Sequence, residues 1–474
     1  MRQMWVMAGT VNLAWRRELA GTFGISQRAV TVIGLALLGL LGAVSAFISG
    51  VIPAFDEISP AAARRVHLVA LASVTLVAAA SAVMFQVLAP RRTSLTVIAQ
   101  LLPVSRFVTR VGAQLPMVAL SVLTTLAMTS PSLKMTLTGG THLLAGLAAV
   151  GALVVTVHAV AIPLFNTAVW ALRRARLPLH HGLGIAGAVV LAGAFAAVWH
   201  DLAAPAPTSN VWWVLPHRTA AEALSSLPAA AVLAVWTVMA LGAGAWAMSV
   251  LPEERVDRPS RLLARLPWPS GQAAARVWYE LLVLVRAPQY AVAILFAFVG
   301  VVAATVLYGA TGTEVVRLAA SGLFLVFFFA GMQSVGLTLP SHWIGEVLLA
   351  RPAAWAWPKA LACLLAATVA ALAALAVAFT TGLLVPATSV SLLLLVLPAW
   401  AAAMLAGALV PYSHEQPLSV GLTAVTTTIV YAAATWAAGE VVPSAWLSAL
   451  VTTAVLLAAY VGVARRMTKR PRHG

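Results

Sequence analysis

The chain has 474 residues, of which 62% are apolar and only 9% charged, with a formal net charge of +16. A water-soluble protein of this length could not keep so much apolar surface away from water, so the composition excludes a soluble globular domain. The positive charge would suggest nucleic acid on a soluble protein, but here the cations fall in short clusters between apolar runs, which is the pattern of loops beside a membrane.

Apolar runs lie near residues 29–50, 67–89, 107–129, 143–170, 183–199, 228–250, 289–309, 316–339, 359–383, 388–411, 419–437 and 444–464. A run of about 20 residues crosses about 30 Å of hydrocarbon as a helix. The alternating pattern of barrel strands is absent, so the spans must be helices that satisfy their own backbone. These runs predict an all-α integral membrane protein of about 12 transmembrane helices with both ends on one side. Alternating sides at each run puts 24 of the 29 Lys and Arg on the side of the termini and 5 (Arg64, Arg65, Lys134, Arg218 and Arg317) on the other. The basic side is the cytoplasm. The excess of Arg over Lys and the many alanines fit a GC-rich bacterial genome, hence a bacterial cell membrane. The start, Met1–Arg17, has no cleavable signal pattern. The one cysteine, Cys363, lies in a span and forms no disulfide within the chain.

The segment 251–271, with Pro252, Pro259, Pro267 and Pro269, is a cytoplasmic linker between two six-span halves, 1–250 and 272–474. The halves resemble each other. WRRELAGTFGISQRAV (15–30) aligns without gaps on VWYELLVLVRAPQYAV (277–292), so that Glu18, Leu19, Gln27, Ala29 and Val30 recur as Glu280, Leu281, Gln289, Ala291 and Val292. LLPVSRFVTRVG (101–112) corresponds to LLARPAAWAWPKA (348–360), with Pro103 on Pro352 and Arg110 on Lys359. Two matches at equivalent positions point to an internal duplication.

Each half opens with an amphipathic segment. Val11, Trp15 and Leu19 share a helical face; Val277, Trp278, Leu281, Leu282 and Val285 form the second stripe, with Arg276 and Glu280 outside it. Such a helix suits the membrane plane, its Trp at headgroup level. After the second span of each half comes a short cytoplasmic helix. One runs over about 94–102, capped by Thr93 or Ser94 and ended by Pro103; the other runs over about 342–351, capped by Ser341 and ended by Pro352.

The in-plane entry helix, the LLPVSRFVTR motif (101–110) after the second span and the six spans per half resemble the permeases of ATP-binding cassette exporters, of the elbow-helix class that moves drugs, peptides, lipids or polysaccharides. In the second half Ala354 and Trp355 stand where that motif has its Ser-Arg pair. The resemblance implies a duplicated permease exporting a hydrophobic or amphipathic cargo, such as a peptide, antibiotic or lipid. It also implies a separate ATPase subunit, with two copies per chain carrying ATP and magnesium. The chain itself lacks G-x-x-x-x-G-K-[ST] and any loop long enough for a nucleotide-binding domain, so it needs no cofactor of its own and is no enzyme by itself.

By that resemblance the ATPase-coupling residues are Leu101, Pro103, Arg106, Arg110, Val347, Arg351, Pro352 and Lys359, the basic ones holding headgroups or an acidic rim of the ATPase. The entry-helix residues are Trp15, Glu18, Trp278 and Glu280, whose glutamates are placed to pair with those cations. Gln86, Gln333 and Ser334 occupy equivalent second spans and either line a cargo path or bond neighbouring helices. His158 is a relay or a packing residue; the outer loop 200–227 is a re-entrant gate or a solvated loop. No metal-ligand spacing occurs. An ion-coupled twelve-span carrier is the alternative, disfavoured because no Asp or Glu falls clearly inside a span. A membrane enzyme on lipid-linked substrates would need paired acidic groups that are not seen.

Overall fold

The computed structural model describes residues 2–23, 25–50, 60–88, 104–138, 141–177, 179–203, 215–250, 267–311, 323–339, 342, 353–380, 382–384, 386–411 and 417–469. The fold is all-helical. Among the described residues, seven helices are long and apolar enough to cross a membrane: Val66–Val87, Arg106–Met128, Leu143–Arg174, Gly182–Trp199, Leu227–Val250, Ala356–Thr380 and Ala445–Met467. Large apolar side chains such as Leu144, Val238, Val369 and Val455 are exposed along them, as lipid-facing surfaces require. The chain is a multi-pass membrane protein.

It divides into two compact units, Met1–Leu177 with Ile185–Val256, and Pro178–Gly184 with Asp257–Gly474. Unit 1 contains α1 (Arg2–Phe23), α2 (Gln27–Gly50), α3 (Pro60–Leu88), α4 (Arg106–Met128), α5 (Ser130–Thr138), α6 (Leu143–Arg174), most of α7 (Leu179–Ala203), α8 (Pro216–Ala223) and α9 (Leu227–Val250). Local chemistry sets several ends. The Ser26 hydroxyl accepts from the Ala29 N–H at the start of α2, and the Ser105 hydroxyl from the Val108 N–H at the start of α4. Arg173 and Arg174 sit in the last turn of α6, where the helix dipole favours cations. That helix ends with Arg176 at φ 65° and a bond from the Leu177 N–H to the Leu172 carbonyl.

α1 packs on α4 and α2; α3 packs on α6, α4 and the short helices α5 and α8; α9 packs on α6. The core joins Leu71, Val74 and Ala78 of α3 to Val150, Leu153 and Val157 of α6 and Leu233 of α9. α1 is longer than the expected entry segment. Its stripe of Val11, Trp15 and Leu19 is buried within unit 1 rather than facing headgroups. The lipid-facing expectation for this stripe is corrected accordingly: the apolar face is covered by protein.

Unit 2 contains α10 (Gln272–Arg286), α11 (Pro288–Thr311), α12 (Leu323–Thr338), α13 (Ala356–Thr380), α14 (Pro386–Leu409), α15 (Pro417–Val441) and α16 (Ala445–Lys469). α10 and α11 meet at Ala287–Pro288, where proline lacks the N–H that would continue the first helix, and they bend by 72°. α12 is interrupted by a 3-10 turn, Ala330–Gln333. α10 packs on α13, and α14 packs on α16, α15 and α12. Its core is rich in alanine, including Ala360, Ala367, Ala399 and Ala401, which lets helices approach closely without a hydrophobic driving force.

Candidate functional site

The most polar buried region of unit 2 centres on Lys359. The chain turns through Ala353–Trp355, with Ala353 at φ 57°, and α13 then carries Lys359 inward as its fourth residue. Its side chain is 1% exposed. Its Nζ donates to Glu280 Oε2 on α10 at 2.5 Å, to Thr338 Oγ1 on α12 at 2.5 Å and to the Ser334 carbonyl at 3.1 Å. An ammonium group has three hydrogens, and here each has an acceptor. Thr338 Oγ1 also lies 3.0 Å from His342 Nε2, a hydrogen bond whose direction follows the histidine tautomer. His342 stacks on Trp355 at 3.9 Å, Trp355 meets the Tyr460 ring edge-on, and the Tyr460 hydroxyl donates to the Ala356 carbonyl at 3.0 Å. One lysine thus links α10, α12 and α13, while Tyr460 ties the head of α13 to α16.

Three expectations change here. Lys359 is sealed and paired, so it holds neither a headgroup nor an ATPase rim. Glu280 belongs to the buried side of α10, because its carboxylate faces the ammonium group rather than water. A buried acid–base pair does exist in the helical core, which removes the argument that buried ionisable groups are missing. The pairing of Glu280 with Lys359 itself follows the expectation from the aligned entry segments.

The aligned positions of unit 1 lie as follows. Arg110 is half-buried and its Nη1 donates to the Ser249 carbonyl in the last turn of α9 at 3.2 Å, a cation at a helix C-terminus. Glu18 and Arg106 are exposed, whereas Trp15 is buried. Trp278 is half-buried, and its indole N–H has no hydrogen-bond partner among the described residues. Leu101, Pro103, Val347, Arg351 and Pro352 lie outside the described residues, as do the 94–102 helix and all of the 342–351 helix except His342.

No family model, curated protein or solved structure matches this chain.

The two cargo-path glutamines differ. Gln86 accepts from Asn166 Nδ2 at 3.1 Å, a bond between α3 and α6. Gln333 is 2% exposed and its Oε1 has no partner among the described residues. Ser334 points its hydroxyl at the Met404 sulfur, 3.9 Å away. His158 is satisfied at both nitrogens, by Ser121 Oγ and the Val154 carbonyl, each at 2.8 Å. Ser81 Oγ sits 3.1 Å from Ser121 Oγ. This is helix-to-helix bonding of α3, α4 and α6, the packing alternative for His158.

Part of the 200–227 loop is neither solvated nor irregular. α8 buries His217, Arg218, Thr219 and Ala220 against the spans of unit 1. Burial pushes the His217 pKa down from 6.5 to about 4. Above pH 6.5 the ring is neutral in folded and unfolded chains alike. Between 6.5 and 4 only the unfolded chain takes the proton, so stability falls as the pH drops, by roughly 3 kcal/mol across that window. Thermal unfolding in detergent at pH 7.5 and 4 should show this loss, and His217→Gln should shrink it. An unchanged acid sensitivity in that variant would place the titrating group elsewhere.

The sequence reading missed Ser105 as the cap of α4, although Pro103 two residues earlier marks the break. It also missed that Ser334 and Thr338, four residues apart on α12, share one helical face.

Proposed function

We propose that the chain is the membrane subunit of an ATP-driven exporter, working with a separate ATPase subunit in two copies and moving a hydrophobic or amphipathic cargo out of a bacterial cell. In this reading it has twelve spans in two fused halves, and both termini lie in the cytoplasm. Several observations support it. Helices cover at least part of each apolar run read from the sequence. In unit 1 the entry helix α1 packs on α4 and α3 on α6; in unit 2 the entry helix α10 packs on α13 and α12 on α14, which is the same scheme by order in each half. Exposed Trp170, Trp246, Trp357, Trp436 and Trp446 lie near helix ends, as residues at membrane interfaces do.

The observation that carries the reading is the entry helix of unit 2. It turns 72° from the span that follows and is bonded through Glu280 to the head of α13. α12 and α13 flank the connection on which an ATPase would push. Thr338 and Lys359 hold these two helices together, and Glu280 makes the entry helix follow. A push on the connection therefore moves three helices as one body instead of dissipating in a loop. The ATPase subunits bind ATP and magnesium; this chain supplies the cargo route and the mechanical link.

The buried pair, with its chain of bonds to His342, also favours a second reading, an ion-coupled carrier. Reconstitution separates the two. The chain alone should turn over no ATP, and cargo-stimulated turnover should appear only with a partner ATPase. Transport that persists without ATP and collapses with the proton gradient would establish the carrier instead.

A further inference from the structure

The exposed side of α6 in unit 1 changes character along its length. Val160, Leu164, Thr167, Trp170 and Arg174 recur at spacings of three and four, and all five are exposed. Toward the C-terminal end this stripe runs from apolar to aromatic to cationic. Leu164 is 56% exposed and Trp170 36%, and the Arg174 guanidinium carbon lies 5.5 Å from the centre of the Trp170 ring. Leu164 and Arg174 are about 15 Å apart along the helix axis. A phospholipid presents the same order: acyl chain, then the interface level that tryptophan prefers, then phosphate.

The cations at this end are not engaged within the protein. The Ala175, Arg176 and Leu177 N–H groups donate to the Ala171, Arg173 and Leu172 carbonyls, so the main chain closes the helix without the arginine side chains. Apart from the Trp170 ring, Arg174 has no partner for its guanidinium among the described residues, and the exposed Arg176 has none. Arg110 differs, since the Ser249 carbonyl already takes one of its N–H groups. Neither α6 nor α3, α4 and α9, which pack along it, carries an Asp or Glu. The end of α6 is therefore complementary to an anion. A zwitterionic headgroup would bring its own cation up to these arginines, and an anionic headgroup brings none.

We propose that Trp170 and Arg174, with Arg176 two residues on, bind the phosphate of an anionic phospholipid whose acyl chain lies along Leu164 and Val160. Binding here requires only that the chain spans a membrane, and it stands apart from the exporter and carrier readings. The full chain alone is placed in nanodiscs that contain a trace of phosphatidylglycerol with a diazirine in its headgroup. Illumination and peptide mapping should place adducts within residues 164–176. Their yield should be at least about fivefold higher when the surrounding lipid is phosphatidylcholine than when it is unlabelled phosphatidylglycerol, the factor expected for one arginine at an anionic surface. Arg174→Gln should lower the yield in phosphatidylcholine by about fivefold and leave adducts elsewhere on the chain unchanged. Trp170→Leu keeps the surface apolar but removes the ring that holds the guanidinium, and should lower it by about twofold. Equal yields in the two lipids, an arm that needs no variant to fold, overturn the proposal. So does a yield that survives in Arg174→Gln. Adducts lost to inorganic phosphate but not to chloride at the same ionic strength would make this a free-anion site instead. No adducts in the segment would leave the arginines to an acidic protein surface, and the lipid assignment would be wrong.

Discussion

Lys359→Met is expected to destabilise the protein by about 3–5 kcal/mol, because it strands the Glu280 carboxylate in a buried site with its cation gone. The Thr338 hydroxyl would lose the same donor. Glu280→Met should be comparably damaging, since it leaves the ammonium group without its counter-charge. The double replacement should recover most of the loss, as an apolar pair of similar volume removes both desolvated charges together. Charge reversal at Glu280 sets two cations face to face and should be the worst of the set. Arg110→Met makes the contrast, as it removes a half-buried cation from a helix-end carbonyl and should cost about 1 kcal/mol or less. Thermal unfolding of detergent-solubilised variants measures all five. A Lys359→Met chain that melts with the wild type would mean that the pair does not hold α10 to α13.

The positions of the helices were legible because apolar run length is a direct physical requirement of the bilayer. The run 107–129 corresponds to Arg106–Met128 and 228–250 to Leu227–Val250, each within a residue or two. The faces of the helices were not legible. A stripe of apolar residues on an entry helix was read as the face meeting lipid, with charge turned to water. For Glu280 the inference failed because its environment is set by a lysine 79 residues away, and no local periodicity encodes that distance. Lys359 was read as a cation at a span end reaching for headgroups, the usual behaviour of a long side chain there. Only the fold shows that three acceptors surround its nitrogen. Gln86 and Gln333 looked equivalent by position, yet their difference lies in whether a distant Asn reaches one of them. The 3-10 turn has no sequence signal beyond Gly331.

The two units share a scheme of helix packing. Unit 2 joins its entry helix to the following spans by a buried ion pair. Unit 1 relies on apolar burial of Val11, Trp15 and Leu19, and on close approach at Gly112, where a Cβ would come 2.9 Å from Met7 Cβ and 3.0 Å from the Met4 carbonyl oxygen.

Gly407→Ala is the second substitution with a large expected effect. In an isolated helix alanine is the better residue by up to about 1 kcal/mol. Here the added Cβ would stand 2.3 Å from the Met332 oxygen and 3.1 Å from its carbonyl carbon. Both are backbone atoms of a neighbouring helix, so no side-chain rotation relieves the contact, and α14 must withdraw from α12. The loss should reach the upper part of the overpacking range, about 3 kcal/mol. Gly421→Ala in α15 is the matched control, because nothing lies within 4 Å of its Cβ position and only the helix propensity gain remains. Gly421→Ala should melt no lower than the wild type. If Gly407→Ala melts with it, the close crossing of α12 and α14 is not what holds the turn in place.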